Sequence, residues 1–125
     1  MATTTFEDLD VWKRSCQLAV DVCVAMHDSR NFGLKDQMQR SAVSIPSNIA
    51  EGAERDSDGD FMRFLRISKG SCGELRTQLY IHDRVQKTLG QAALEQSRPM
   101  IQETREISAM LQGLIRSIQS RQSSL

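Results

Sequence analysis

Two prolines, 5% aromatic side chains and no long apolar run are what this 125-residue sequence has least of, and each shortage removes a class of protein. With seven glycines and 26% charged residues beside them, the shortages disfavour a strand-rich fold and favour helices throughout. No window approaches eighteen consecutive apolar residues, and no basic segment leads into an apolar run at the amino terminus. Neither a membrane span nor a secretory signal is therefore expected, and a cytoplasmic location is the expectation. The three cysteines, Cys16, Cys23 and Cys72, are odd in number, lack Cys-x-x-Cys spacing and each fall on an apolar helical stripe, so they read as buried reduced thiols. Net charge is also missing: sixteen basic and sixteen acidic side chains cancel, which excludes a protein that coats nucleic acid through bulk charge.

A catalytic constellation is absent as well. His27 and His82 stand alone near expected helix ends, with no carboxylate or cysteine at ligand spacing, and read as surface or capping residues. Glu51 and Glu54 share a helix side and read as solvated. Gly70-Ser71-Cys72-Gly73 echoes a phosphate-clamping Gly-x-x-Gly but falls inside a helix rather than a loop. Asp56-Ser57-Asp58-Gly59-Asp60 fails as a calcium loop, because the sixth position is Phe61 instead of glycine and the twelfth is Ile67 instead of glutamate. No enzyme activity, cofactor or metal is expected.

What is present is helical periodicity. Apolar residues recur at helical spacing over about 8–28, 34–54, 58–89 and 95–119, as one domain. Asn31-Phe32-Gly33 reads as a turn, Ser57 or Asp58 as the cap of the third helix, Gly90 as its stop, and Pro99 as a first-turn proline of the fourth. The tail after Gln119 is expected to fray. Pro46 interrupts the second helix, predicting a kink or break near 44–47 relieved by serine hydroxyls. Four amphipathic helices joined by short turns predict an all-α, antiparallel up-and-down four-helix bundle.

The third helix carries two surfaces. Phe61, Phe64, Leu65, Ser68, Cys72, Leu75 and Leu79 fall within about 100° of arc, whereas Arg63, Arg66, Lys69 and Arg76 lie on the remaining side. Residues 61–90 hold six basic against two acidic side chains, while 35–60 hold three against six. Gly70 and Gly73 sit among these cations, at a cost of roughly 1 kcal/mol each in a helix interior, so close approach by another backbone is expected there. The first helix shows two stripes. One is Leu9, Trp12, Cys16, Ala19, Val20, Cys23 and Met26; the other is Val11, Leu18 and Val22. Burying the first in a monomer would leave the second wet, so Val11, Leu18 and Val22 are expected, with Gly70 and Gly73, at an interface between copies of the chain.

Several segments carry a resemblance. Phe6-Glu7-Asp8-Leu9 with Val11-Trp12, Gly33-Leu34 with Gln37, the run Arg40-Ser41-Ala42-Val43-Ser44-Ile45-Pro46-Ser47-Asn48-Ile49-Ala50-Glu51-Gly52, then Phe64-Leu65, Lys69-Gly70-Ser71 and Glu74-Leu75 are similar to the bacterial four helix bundle protein family. That family includes proteins encoded in intervening sequences of 23S ribosomal RNA genes and the accessory variability determinant of diversity-generating retroelements. The similarity spans roughly 6–115. It implies a ring-shaped homo-oligomer, a homopentamer, and for the retroelement protein the binding of nucleic acid and of a reverse transcriptase. The positions that would carry nucleic acid are Arg40, Arg55, Arg63, Arg66, Lys69 and Arg76. With no aromatic residues interleaved among these arginines, any binding is expected to the backbone of RNA or DNA and not to bases; the same cations also read as solvated helix-face charges or as partners of Glu51, Glu54 and Glu74 in ion pairs between copies. The other expectation is an adaptor that docks a partner such as a reverse transcriptase without touching nucleic acid.

Overall fold

The computed structural model describes residues 5–123 and contains, among them, four α-helices and no strand. A 3₁₀ turn over Phe6–Asp8 leads into α1 (Asp10–Ala25), followed by α2 (Phe32–Ala53), α3 (Asp58–Thr88) and α4 (Ser97–Ser123). Each helix packs on the next and α4 closes back on α1. Cross-helix bonds fix the directions: Ser68 meets Ile45 while Ser71 meets Ser44, and Lys69 meets Gln112 while Arg76 meets Thr104, so sequence rises on one helix as it falls on its neighbour. The result is an up-and-down four-helix bundle.

The chain's own punctuation sets the helix ends. Asn31 Oδ1 accepts from the Leu34 amide and Ser57 Oγ from the Asp60 amide, each satisfying an orphan donor of a first turn. Gly90 takes φ 72°, the left-handed conformation that ends a helix, while the Gln91 amide returns to the Gln86 carbonyl. Three ends depart from the sequence expectation. Helix α2 already begins at Phe32, so Phe32 and Gly33 lie in its first turn and not in the connection. The α-helix α1 stops at Ala25, with residues 26–28 in a turn, and α4 runs past Gln119 to Ser123.

Pro46 does not break α2, which is continuous through it. Ser68 Oγ of α3 donates to the Ile45 carbonyl at 2.8 Å, and Asn48 Nδ2 donates to the Ser44 carbonyl at 2.8 Å. Side chains thus serve carbonyls beside the ring, although the hydroxyl comes from the neighbouring helix and not from Ser44 or Ser47. At Gly52 α2 and α3 lie close together: a Cβ there would stand 2.7 Å from Phe64 Cβ.

The core corrects the reading of α1. Val11, Leu18 and Val22 are 4%, 1% and 0% exposed, inside the bundle with Ala19 and Met26, so they are not an interface between copies. The reason is that α1 lies between α2 and α4, and its buried arc is centred on Val22 and Ser15, drawing in the second stripe and only the edge of the first. What α1 leaves outside is Val20 and Val24, with Trp12, Cys16 and Cys23 half-buried. The thiols follow: only Cys72 is buried, and burial pushes its pKa up to about 12.

Candidate nucleic-acid interface

The cations read from the sequence divide into three groups. Arg40 is exposed on α2 and paired with Asp36 one turn earlier at 2.9 Å, apart from the others. Arg55 and Arg63 meet at the α2–α3 corner, where their guanidinium carbons stand 5.1 and 4.5 Å from the centre of the Phe64 ring. Arg55 also holds Glu51 at 2.8 Å, and that bond raises its pKa. An aromatic ring therefore is interleaved with the arginines, contrary to the sequence expectation. Phe64 had been placed on the core face, yet it lies at its edge, half-buried. Two cations already attend that ring, an arrangement that holds the guanidiniums in place.

The third group is larger than expected. Arg66, Lys69, Gly73, Arg76, Tyr80, Arg84 and Lys87 recur at spacings of three and four along one side of α3. Lys69 Nζ donates to Gln112 Oε1 at 2.8 Å, Arg76 Nε to Thr104 Oγ1 at 2.9 Å, and Arg105 Nη2 to the Tyr80 hydroxyl at 2.7 Å, so this side borders α4. Across the seam, Arg98, Arg105, Gln112 and Arg116 form the matching row of α4. Neither row contains an acidic residue. The neighbouring acids turn elsewhere: Glu103 and Glu106 grip Arg14 of α1, and Asp83 accepts from buried Ser97 beneath the seam at 2.5 Å. The Arg14 bonds hold Glu106 below the usual carboxylate range.

Sequence reasoning thus found Arg66, Lys69 and Arg76 but missed Arg84, Lys87, Arg98, Arg105 and Arg116. The signal was present as the seven-residue step from Arg98 to Arg105 to Gln112, which keeps one helix side cationic or amide, but it becomes a site only once α4 is set antiparallel to α3. Gly70 and Gly73 lie on this outer surface with nothing within 4 Å of a Cβ on either. Within the protomer no backbone approaches them. Among the described residues no group of His, Cys, Asp and Glu is arranged to hold a metal, and no helix is long and apolar enough to cross a membrane.

His82 also differs from its sequence reading. It is 3% exposed, faces the bundle interior, and its Nδ1 has no hydrogen-bond partner. Burial lowers its pKa, with Asp83 acting in the opposite direction.

These features define an all-helical four-helix bundle with a cationic seam between its third and fourth helices. The chain belongs to the 23S rRNA-intervening sequence protein family, whose profile matches residues 7–113. A solved structure from Bacteroides thetaiotaomicron, a protein of unknown function from the S23 ribosomal protein family, is similar to it at 25% identity. The match covers 84% of this chain and 97% of that one with a TM-score of 0.75. No curated protein matches the chain.

Proposed function

We propose that this protein is a non-enzymatic, self-associating scaffold that binds the phosphate backbone of RNA or DNA along the α3–α4 seam. The observation that carries the reading is the pair of acid-free cation rows, five side chains from α3 and three from α4, extending over about 30 Å of helix. Phosphates are served by point charges and forks at such spacing. Base readout is not, because the Tyr80 hydroxyl and the Phe64 ring are engaged by arginines. The family's link to intervening sequences of 23S rRNA makes RNA the first ligand to try.

Self-association in a ring, with five copies as the resemblance implies, multiplies these rows. Val20 and Val24, 53% and 70% exposed and one turn apart on α1, support it, as do the open helix sides at Gly70 and Gly73.

Fluorescence anisotropy with a labelled duplex RNA at 50 and 200 mM salt tests the reading. Affinity is expected to fall steeply with salt, and Arg66→Glu with Lys69→Glu and Arg105→Glu should lower it by at least an order of magnitude at the lower salt. Equal affinity for the folded triple variant and the parent would sink the proposal.

A further inference from the structure

The α3 cation row ends at Arg84 and Lys87, and there the surface opens into two depressions that share Val85 and Leu89 as walls. The smaller, about 340 Å³, is apolar except for Arg84 and Thr88. The larger, about 470 Å³, lies between the α1–α2 turn and the end of α3. Its walls are apolar at Ala25 and Leu94, and it is also lined by His82, the buried imidazole with an unpartnered Nδ1. Two amides in its wall each have one half uncommitted. Asn31 Oδ1 caps α2 at 3.3 Å and leaves Nδ2 to donate, while Gln86 Nε2 donates to the Ala92 carbonyl at 3.1 Å and leaves Oε1 to accept. Arg30 and Asp28 complete the wall on the α1–α2 side.

We infer that this cavity receives one unpaired nucleotide at the end of a nucleic acid whose backbone lies along the α3–α4 seam. The inference rests on the function proposed above and adds a second kind of recognition to it. The volume is in the range that holds a small planar ligand in an apolar slot with a few placed polar groups. A free amide donor and a free amide acceptor match the paired acceptor and donor on the adenine edge. Arg84 belongs both to the cation row and to the smaller depression, so a phosphate held there is continuous with the seam. Asp28 and Arg30 give the larger depression one charge of each sign, so its wall has no excess of cations for a phosphate, and the Asp28 carboxylate can accept from the amino edge of a base.

Two duplex RNAs of equal length, one blunt and one ending in a single unpaired adenosine, separate this proposal from the seam reading. The overhang is expected to tighten binding about five-fold or more at fixed salt while leaving the salt slope unchanged. The preference should disappear in Asn31→Asp with Gln86→Ala, which keeps the helix cap but removes the free amide donor and acceptor, and independently in Leu89→Trp, which narrows the cavity from a position that is 64% exposed. Equal affinity for both duplexes, with salt dependence intact, overturns the cavity and leaves the seam standing. A preference that survives both variants also overturns it, and failure of both duplexes to bind removes the seam reading and the cavity with it.

Discussion

At Gly52 a single methyl decides how closely two helices lie. A Cβ would meet Phe64 Cβ at 2.7 Å and the Phe61 carbonyl at 3.3 Å, and neither is a flexible chain end that swings away. Overpacking of this kind costs about 1–3 kcal/mol, against roughly 1 kcal/mol regained in helix propensity. Gly52→Ala should therefore lower the urea midpoint despite improving the helix. Gly70→Ala and Gly73→Ala have the opposite expectation for the protomer, about 0.5–1 kcal/mol of added stability each, because nothing stands within 4 Å. A loss of assembly in those two variants, with the protomer stabilised, would mark them as contact surface between copies; assembly unchanged would remove the interface assignment. His82 sets a pH dependence whose sign follows from its lowered pKa. The unfolded chain takes up a proton near pH 6.5 more readily than the buried imidazole does, so this contribution to stability is present above that pH and is lost as pH falls below it. Thermal melts between pH 7.5 and 5 should show a fall that is reduced in His82→Leu, and an identical pH profile in that variant would rule the imidazole out.

Helix by helix, what sequence could and could not reveal follows from the range of the interactions involved. The presence of four amphipathic helices, the Ser57 cap and the Gly90 stop rest on local signals, and the structure has each of them, with α1 ending early at Ala25 and α4 running on to Ser123. The choice between two stripes on α1 is not local. It depends on α2 and α4 flanking that helix together, so Val11, Leu18 and Val22 went inside and Val20 and Val24 stayed out. Likewise Arg105 and Arg116 joined the candidate site only because α4 runs beside α3. The corrected α1 predicts a clean separation of phenotypes. Leu18→Asp places an unpaired charge in the core, where several kcal/mol compete with a total stability of about 5–15 kcal/mol, so the chain should lose helicity by circular dichroism. Val20→Asp with Val24→Asp should keep helicity and reduce the particle size in light scattering coupled to size exclusion. A parent protein that already elutes as a 14.1 kDa particle at micromolar concentration would end the self-association reading.

Over the whole molecule, a net charge of zero conceals a separation by face. The acids of α4, Glu103 and Glu106, are turned to Arg14 of α1, those of α2 hold Arg40 and Arg55, and the α3–α4 seam keeps eight cations in rows without an acid. Bulk charge governs long-range attraction, but counterion release counts only the phosphates that cations reach, so the proposed function predicts binding by a neutral chain with a salt slope set locally by the seam. Each phosphate contact contributes a slope of about −0.9 in log affinity against log salt on duplex DNA and about −0.7 on a single strand. Removing seam residues should therefore flatten the slope stepwise, by roughly one contact for Arg66→Ala and another for Arg105→Ala. Arg40→Ala is the matched control: it deletes the same charge from the same molecule, yet Arg40 is held by Asp36 on α2 and stands outside the rows. Anisotropy titrations across 50 to 200 mM salt should give the Arg40 variant the parent slope. If it flattens the slope as much as Arg66→Ala does, the protein responds to net charge alone, and the seam has no special standing as a surface.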